Sequence, residues 1–248
     1  MSESTVKIQK RQRPGPIVMD LEKLQKEIDA RVAAETAALE AFELELSQKP
    51  WFPKSKEFME RYSDKYDELF QIAEDTRKSV YGINTPDVAE LCDGVIQLCG
   101  ISALHYMFLD VPEGSIPNYT HRIQVLPDDE FISSIKDGYE DTFGINVHKF
   151  PIQDSDLQDI RPTLDAVQQI FKTIHDKAED ETKIGKIIIH CYAGHNRSAS
   201  VAAVAIMTLT GCNLREAVRQ IVAVRPIVLY NYSFLRQLVM WAADRGMF

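Results

Sequence analysis

The sequence predicts an α/β fold in which a central, mostly parallel sheet is flanked by helices. Apolar, strand-like runs alternate with helical segments along the 248 residues, an order typical of sheets with parallel members. The β-branched run Ile187–Ile189 has the composition of a buried strand, and a glycine-containing loop and an apolar helical segment follow it. The overall composition, 45% hydrophobic and 26% charged, is ordinary for a globular protein.

The N-terminal third is predicted to be helical. Residues 1–16 are polar and proline-containing, which favours a disordered tail. Asp20 is a good N-cap for a helix that reaches about Gln48, with apolar residues mostly at three- and four-residue steps. This helix could form a coiled-coil dimer, but its apolar repeat departs from strict heptads. That departure favours packing onto the rest of the chain. A second helical stretch with an aromatic-rich stripe covers Lys54–Val80.

The region before the strand at Asn146 is predicted to contain a helix, a strand and a long loop. Thr85-Pro86 has the chemistry of an N-cap followed by proline at the first helical position, and Gly100 would end that helix. Ile101–Leu109 is apolar and is predicted to be a strand. Asp110–Gly144 reads as a long loop, with one strand at Thr120–Leu126, and such loops often wall an active site.

The C-terminal half shows the clearest alternation of strands and helices. Its predicted elements are, in order, a strand at Asn146–Ile152, a helix at Thr163–Ala178, the strand that ends at Cys191, a helix at Val201–Leu209, a helix capped by Asn213 with Glu216, and a last helix opened by Asn231.

The stretch Lys186–Ser200 has the features of an anion-binding site that contains a nucleophile. The strand runs into Cys191, Gly194 allows the loop to turn its amides inward, and Arg197 stands near the start of the next helix. A helix N-terminus and a planar guanidinium together favour a dianionic phosphate, and the same positive field favours a thiolate. Alternatively, Cys191 is a small buried hydrophobe and Arg197 a solvated residue, but the strand–loop–helix context favours the functional interpretation.

Cleavage of a phosphate ester by a thiolate also needs an acid for the leaving oxygen. Asp154 and Asp156 follow the Asn146–Ile152 strand, and the carboxyl ends of parallel strands meet at one edge of a sheet. Both side chains are therefore expected at the same edge as Cys191, and the local pattern does not choose between them. Asp159 is a third candidate, but it stands where a helix N-cap is expected.

The segment from about residue 84 to 240 resembles the cysteine-dependent dual-specificity protein phosphatases of the protein-tyrosine phosphatase superfamily. Their signature H-C-x-A-G-x-x-R-S matches His190–Ser198. The run Phe150–Asp154, followed by Asp159-Ile160, resembles the general-acid loop of that family and assigns the acid to Asp154. The family's C-terminal R-P…N…F…Q-L pattern is matched at Arg225-Pro226, Asn231, Phe234 and Gln237-Leu238.

The resemblance implies a protein-tyrosine-phosphatase-like catalytic domain at residues 81–248, preceded by a disordered tail and helical extension at residues 1–80. It implies a two-step reaction without metal or cofactor, in which Cys191 attacks phosphorus and Asp154 acts as acid and then as base. Arg197 would hold the phosphate, Ser198 would assist the leaving sulfur, and His190 would help set the thiolate state and loop geometry. The phosphate-binding loop would comprise Tyr192, Ala193, Gly194, His195, Asn196 and Arg197.

The resemblance also implies a phosphoprotein substrate, with phosphotyrosine and, in a shallow pocket, phosphoserine and phosphothreonine. His195 and Asn196 replace the lysines typical of phosphoinositide-directed relatives, which disfavours a lipid. Two alternatives remain open: a phosphoprotein-binding module with vestigial catalysis, and a phosphatase acting on lipid or RNA 5′ ends. The helices of residues 1–80 are expected to bind a protein partner or dock within the chain.

Charge and cysteine content predict which partners are disfavoured and where in the cell the protein is located. A net charge of −9 disfavours nucleic acid and anionic membrane as partners. No apolar run has the length of a bilayer span, and an apolar signal-peptide core is not seen near the N-terminus. Four cysteines without metal-ligand spacing favour a reducing compartment, so a cytoplasmic or nuclear location is expected.

Overall fold

The computed structural model describes residues 21–79, 87–109, 119–127, 144–178 and 184–248. The chain divides into two compact units, Met1–Glu45 and Leu46–Phe248. The predicted tail at residues 1–16 and most of the predicted loop at residues 110–144 lie outside the described residues. Among the described helices, none is by itself long and apolar enough to cross a membrane, although one pair bent by 120°, Arg197–Thr210 with Leu214–Val224, reaches that length and composition.

The first unit contains most of helix α1, Leu21–Ser47, which confirms the predicted N-terminal helix. Ion pairs one turn apart support it, for example Arg31 Nε to Glu35 Oε1 at 2.8 Å. The apolar side chains of its predicted face are exposed; they are Leu24, Ile28, Val32, Leu39 and Phe42.

The second unit is organised around a five-stranded sheet in the order β1-β2-β5-β3-β4. The strands are β1 Val88–Leu91, β2 Ile96–Gly100, β3 Tyr119–Val125, β4 Asn146–Phe150 and β5 Lys186–Cys191. β1 pairs with β2 antiparallel, and the other neighbours are parallel. This arrangement confirms the predicted mostly parallel sheet, and it brings the carboxyl ends of β2, β5, β3 and β4 to one edge.

Helices flank the sheet. They are α2 Lys56–Arg61, α3 Ser63–Ser79, α4 Ile101–Leu109, α5 Arg161–Lys177, α6 Arg197–Thr210, α7 Leu214–Val224 and α8 Tyr232–Ala243. On β5, Ile187 and Ile189 belong to the large core cluster shared with α5 to α8, whereas Ile188 belongs to a smaller cluster that includes Leu104 of α4. β5 is therefore buried on both faces, as its continuous apolar run predicts.

Two predicted elements in the first half of this unit were wrong. The segment expected to be a helix ending at Gly100 forms the β1–β2 hairpin instead, because Cys92, Asp93 and Gly94 turn the chain with φ values of 50°, 54° and 83°. Asp-Gly is a strong hairpin signal that outweighs the apolar spacing. The expected strand at Ile101–Leu109 is helix α4, since a short apolar run does not distinguish a buried strand from a buried helix.

The segment from residue 46 to 79, which the sequence assigns to the extension, lies in the same compact unit as the sheet. Helix α3 packs on α7 and α8 and buries Leu69 and Ala73. Tyr62, between α2 and α3, donates its hydroxyl to Asp244 Oδ1 at 2.7 Å. Burial, followed by this contact with the Asp244 carboxylate, raises the pKa of Tyr62 to about 12, so the phenol stays protonated and keeps donating.

Candidate active site

Cys191 lies at the carboxyl end of β5, and 1% of its surface is exposed. Its sulfur accepts two hydrogen bonds, from the Gly194 backbone N–H at 3.1 Å and from the Ser198 hydroxyl at 3.1 Å. Both donors are placed to stabilise negative charge on this sulfur during a reaction. The loop and the first turn of α6 thus converge on the predicted nucleophile.

The loop that follows Cys191 depends on glycine for its shape. Gly194 has φ +74°, and a Cβ placed there would lie 2.6 Å from the carbonyl carbon of Cys99. The loop also contacts the start of α4, since Ile101 N–H donates to Tyr192 O at 2.9 Å. The left-handed backbone at Gly194 turns its N–H toward the sulfur, as the sequence predicts for a loop of inward-pointing amides.

Arg225 holds the outer side of this loop. Its Nε donates to Gly194 O and its Nη2 to Ala193 O, each at 3.0 Å, and its Nη1 donates to Asp87 O at 3.2 Å. Because these carbonyls are turned outward onto a buried guanidinium, the amides of the same peptide units are free to face the pocket. Burial lowers the pKa of Arg225. The sequence placed Arg225 in the R-P…N…F…Q-L pattern but did not indicate these contacts.

Arg197 is the first residue of α6, and its side chain is 9% exposed. Its Nη1 donates to Ile152 O at 3.1 Å, which ties the nucleophile loop to the end of β4. Its buried Nε has no hydrogen-bond partner among the described residues, and it lies 4.0 Å from Asp154 Oδ2, too far for a hydrogen bond. A buried guanidinium with an open donor is suited to bind an oxyanion.

Asp154 is the carboxylate that the structure brings to this site. Its oxygens accept from Asn231 Nδ2 at 2.8 Å and from Asn196 Nδ2 at 3.2 Å. Its side chain is 35% exposed, so the carboxylate is partly open to solvent rather than within the core. The Asn196 side chain also accepts from the N–H groups of Tyr230 and Asn231 at 3.0 and 3.1 Å. One loop residue therefore connects the acid to the start of α8.

The other two candidate acids have different contacts. Asp159 accepts from the Arg161 backbone N–H at 3.0 Å and pairs with the Arg161 guanidinium at 2.7 Å, so it stabilises the start of α5. Arg161 lowers the pKa of Asp159 against the opposing effect of burial. Asp156 is fixed through its backbone carbonyl, which accepts from the Trp51 indole and the Ser233 hydroxyl.

His190 is buried next to Cys191, with 1% of its surface exposed. Neither ring nitrogen has a hydrogen-bond partner within the described part of the chain. Burial, and then the positive charge of Arg122, lowers the pKa of His190 to about 3. The ring is therefore neutral near pH 7 and contributes no positive charge to the loop.

The rim of the pocket is aromatic. The Tyr230 hydroxyl lies 3.0 Å from His195 Nδ1, and the Arg77 guanidinium of α3 lies 5.7 Å from the Tyr230 ring centroid. Burial raises the pKa of Tyr230, and the neighbouring Asp154 adds to this effect. Tyr192 is 59% exposed on the loop itself. Two exposed tyrosines, one in the loop and one in contact with it, therefore lie near the site.

The site combines a buried thiol with two donors on sulfur, an open guanidinium donor and a held carboxylate. Within the described ranges, no group of three or more His, Cys, Asp or Glu side chains is placed to hold a metal ion. The sequence did not indicate two contributors: Arg225, whose loop contacts bridge 31 and 32 positions, and Asn231, which was predicted only as a helix cap. The R-P…N pattern was a signal for both, but it indicated no contact.

In a comparison with protein families, the family described as dual specificity phosphatase, catalytic domain, matches residues 120–244. Human dual specificity protein phosphatase 16 is 33% identical over 91 residues, which cover 37% of this chain and 13% of that protein. Human dual specificity protein phosphatase 15 is 39% identical over 54 residues, 22% of this chain and 18% of that protein. The chain thus spans under a fifth of the length of either relative.

Solved structures show the same fold at low sequence identity. Human DUSP28 superposes with a TM-score of 0.52 and 17% identity, covering 66% of this chain and 97% of that one. OH1 from the Orf virus, described as a tyrosine phosphatase with triple substrate specificity, superposes with a TM-score of 0.51 and 16% identity, covering 71% and 98%.

Proposed function

This chain belongs to the dual-specificity phosphatase family, and on this basis we propose that it hydrolyses phosphotyrosine, phosphoserine and phosphothreonine in proteins. The observation that carries the proposal is the set of groups around one sulfur. The Cys191 sulfur accepts from Gly194 N–H and Ser198 Oγ–H, while the buried Arg197 Nε at the start of α6 keeps an open donor.

In the first step the Cys191 thiolate attacks phosphorus, a phosphorus–sulfur bond forms, and the bond from phosphorus to the substrate oxygen breaks. The Arg197 guanidinium and the amides of the 192–197 loop hold the equatorial oxygens, whose charge is the main electrostatic demand of the transition state. Asp154 donates its proton to the leaving oxygen, so the product leaves as a neutral alcohol or phenol.

In the second step the Asp154 carboxylate takes a proton from water, and the oxygen of that water attacks phosphorus. The phosphorus–sulfur bond breaks, and inorganic phosphate and the Cys191 thiolate are formed. The Ser198 hydroxyl, 3.1 Å from the sulfur, stabilises the negative charge that returns to it. Held by Asn196 and Asn231, the same carboxylate serves both steps.

The loop side chains favour a protein substrate. His195 contacts Tyr230, and the Asn196 amide is used by Asp154 and the start of α8, so neither supplies a cation for further phosphates. The aromatic rim formed by Tyr192 and Tyr230 suits the ring of a phosphotyrosine and the apolar flanks of a peptide.

A substrate panel in the presence of EDTA tests this proposal, with p-nitrophenyl phosphate, phosphopeptides, a phosphoinositide and a 5′-phosphorylated RNA. Cys191→Ser should lower kcat by at least ~1000-fold and Asp154→Ala by about 100-fold with little change in KM. Cys212→Ser, at a half-buried cysteine remote from the loop, is the matched control and should keep wild-type rates.

Two outcomes would contradict the proposal. Full activity of the Cys191→Ser variant would show that Cys191 is not the nucleophile. Tight binding of phosphopeptides by the wild-type chain without detectable turnover would instead favour a phosphoprotein-binding module.

A further inference from the structure

Trp51 lies before α2, outside residues 120–244, yet it contacts the loop that carries Asp154. Its indole Nε1–H donates to Asp156 O at 3.0 Å, two residues after the acid. The side chain is 2% exposed, so solvent does not compete with this hydrogen bond. A residue that precedes the segment matched by the family therefore contacts the backbone of the acid loop directly.

The carbonyl of Asp156 has a second donor, and the loop is held at its far end as well. Ser233 Oγ of α8 donates to Asp156 O at 2.7 Å. Gln237 of α8 donates to Gln158 O and accepts from Ile160 N–H, each at 2.8 Å. Between Asp154 and Gln158, the loop backbone is thus fixed from two sides, by α8 and by Trp51.

Trp51 is itself rigidly placed. Its carbonyl accepts from Arg236 Nε of α8 at 2.8 Å, and the Arg161 guanidinium lies 5.2 Å from its ring centroid. The same guanidinium pairs with Asp159 at the end of the acid loop. An indole held at its backbone and over its face presents its N–H in one direction, so the hydrogen bond to Asp156 is preorganised.

We propose that Trp51 is a positioning residue for the proton transfer by Asp154. This inference rests on the proposed function, because it concerns the acid of that reaction. A general acid must lie within hydrogen-bond reach of the leaving oxygen, and a displacement of about 1 Å can cost on the order of 100-fold in rate. Removing the indole donor leaves Asp156 O with Ser233 alone and lets the acid loop shift.

The test is Trp51→Phe, which removes the N–H donor and keeps an aromatic ring. Trp241→Phe is the matched control, because Trp241 is also 2% exposed and its indole donates at 2.8 Å, but to Asp165 of α5 rather than to the acid loop. kcat/KM is measured with phenyl phosphate, whose leaving group needs the acid, and with p-nitrophenyl phosphate, which needs it less. Thermal unfolding of each variant is measured alongside.

Trp51→Phe should lower kcat/KM about 10-fold on phenyl phosphate and less than about 2-fold on p-nitrophenyl phosphate. Trp241→Phe should change both substrates equally. In an Asp154→Ala background, Trp51→Phe should have no further effect on phenyl phosphate, because the group it positions is gone. Should Trp51→Phe not fold, Ser233→Ala removes the other donor to Asp156 O and should show the same dependence on the leaving group.

An equal effect of Trp51→Phe on both substrates, or an unchanged loss in the Asp154→Ala background, would overturn the inference. If Asp154→Ala is impaired on phenyl phosphate while Trp51→Phe is not, the positioning role fails and the proposed function stands. If the wild-type chain hydrolyses neither substrate, or if Asp154→Ala is unimpaired, the acid assignment fails and the positioning role fails with it.

Discussion

Asn231 Nδ2 donates to Asp154 Oδ1 at 2.8 Å, while Asn231 Oδ1 accepts from Phe234 N–H at 3.1 Å. One side chain thus caps helix α8 and holds the proposed acid. The amide makes both contacts at once because its acceptor oxygen and its donor nitrogen are bonded to the same carbon. Fixing the cap fixes the direction of the donor, and therefore the place of the Asp154 carboxylate.

Substitution of Asn231 separates these two roles. Asn231→Ser keeps a capping oxygen but loses the amide donor, so kcat/KM on phenyl phosphate should fall about 5-fold with little change in stability. Asn231→Ala should show the same catalytic loss, and its free energy of unfolding should be about 1 kcal/mol lower. Steady-state kinetics and denaturant unfolding measure the two effects.

Asn213 provides the control, since it caps α7 through Glu216 N–H at 2.9 Å. Asn213→Ala should lose about 1 kcal/mol of stability and keep the wild-type kcat/KM. Wild-type kinetics for Asn231→Ser would show that the Asn231 amide is not needed to place the acid.

Alanine at Gly194 is expected to disrupt the nucleophile loop. The backbone there has φ +74°, and the added Cβ would lie 2.6 Å from the Cys99 carbonyl carbon, so the loop or the end of β2 must move. The N–H that points at the Cys191 sulfur would move with it. Gly194→Ala should therefore lower kcat/KM by at least ~100-fold and cost about 2 kcal/mol or more in stability.

Gly211→Ala is the matched control for this substitution. Gly211 has φ +71°, and nothing lies within 4 Å of a Cβ placed on it. The variant should lose about 1 kcal/mol of stability through the backbone conformation alone and keep its kcat/KM. Equal catalytic effects at both glycines would contradict a specific role of the Gly194 turn.

His190 should make the fold sensitive to acid. Its pKa is about 3 in the folded chain and near 6.5 when unfolded, so the unfolded state binds an additional proton between these values. The free energy of unfolding should therefore fall as the pH is lowered through this window, by about 2 kcal/mol between pH 7 and pH 5 from this residue.

Denaturant unfolding at a series of pH values checks this effect. His190→Asn should flatten the decline, because the asparagine does not titrate. Burial also lowers the pKa values of His121 and His148, so part of the slope should remain in the variant. An identical slope in both proteins would mean that His190 takes up its proton without unfolding.

The predicted elements succeeded or failed for identifiable reasons. The helices that start at Leu214 and Tyr232 were predicted because Asn213 and Asn231 cap them locally. The β1–β2 hairpin was missed because the apolar spacing was weighed above the turn signal of Asp93-Gly94. Helix α4 was missed because a short apolar run does not distinguish a buried strand from a buried helix. α4 begins where Ile101 N–H meets Tyr192 O, a contact across 91 positions that local patterns do not contain.

The sequence by itself determined the local structure of one stretch, Lys186–Ser200. Its features are local: a strand that ends in Cys191, a glycine three residues later and an arginine at the helix start. Such local features can be predicted from the order of residues. Tertiary structure decided which groups serve that stretch. Packing brings Arg225 to the loop carbonyls, Asn231 to Asp154 and Trp51 to the acid loop. Their hydrogen bonds join distant positions, and only the folded chain sets those distances.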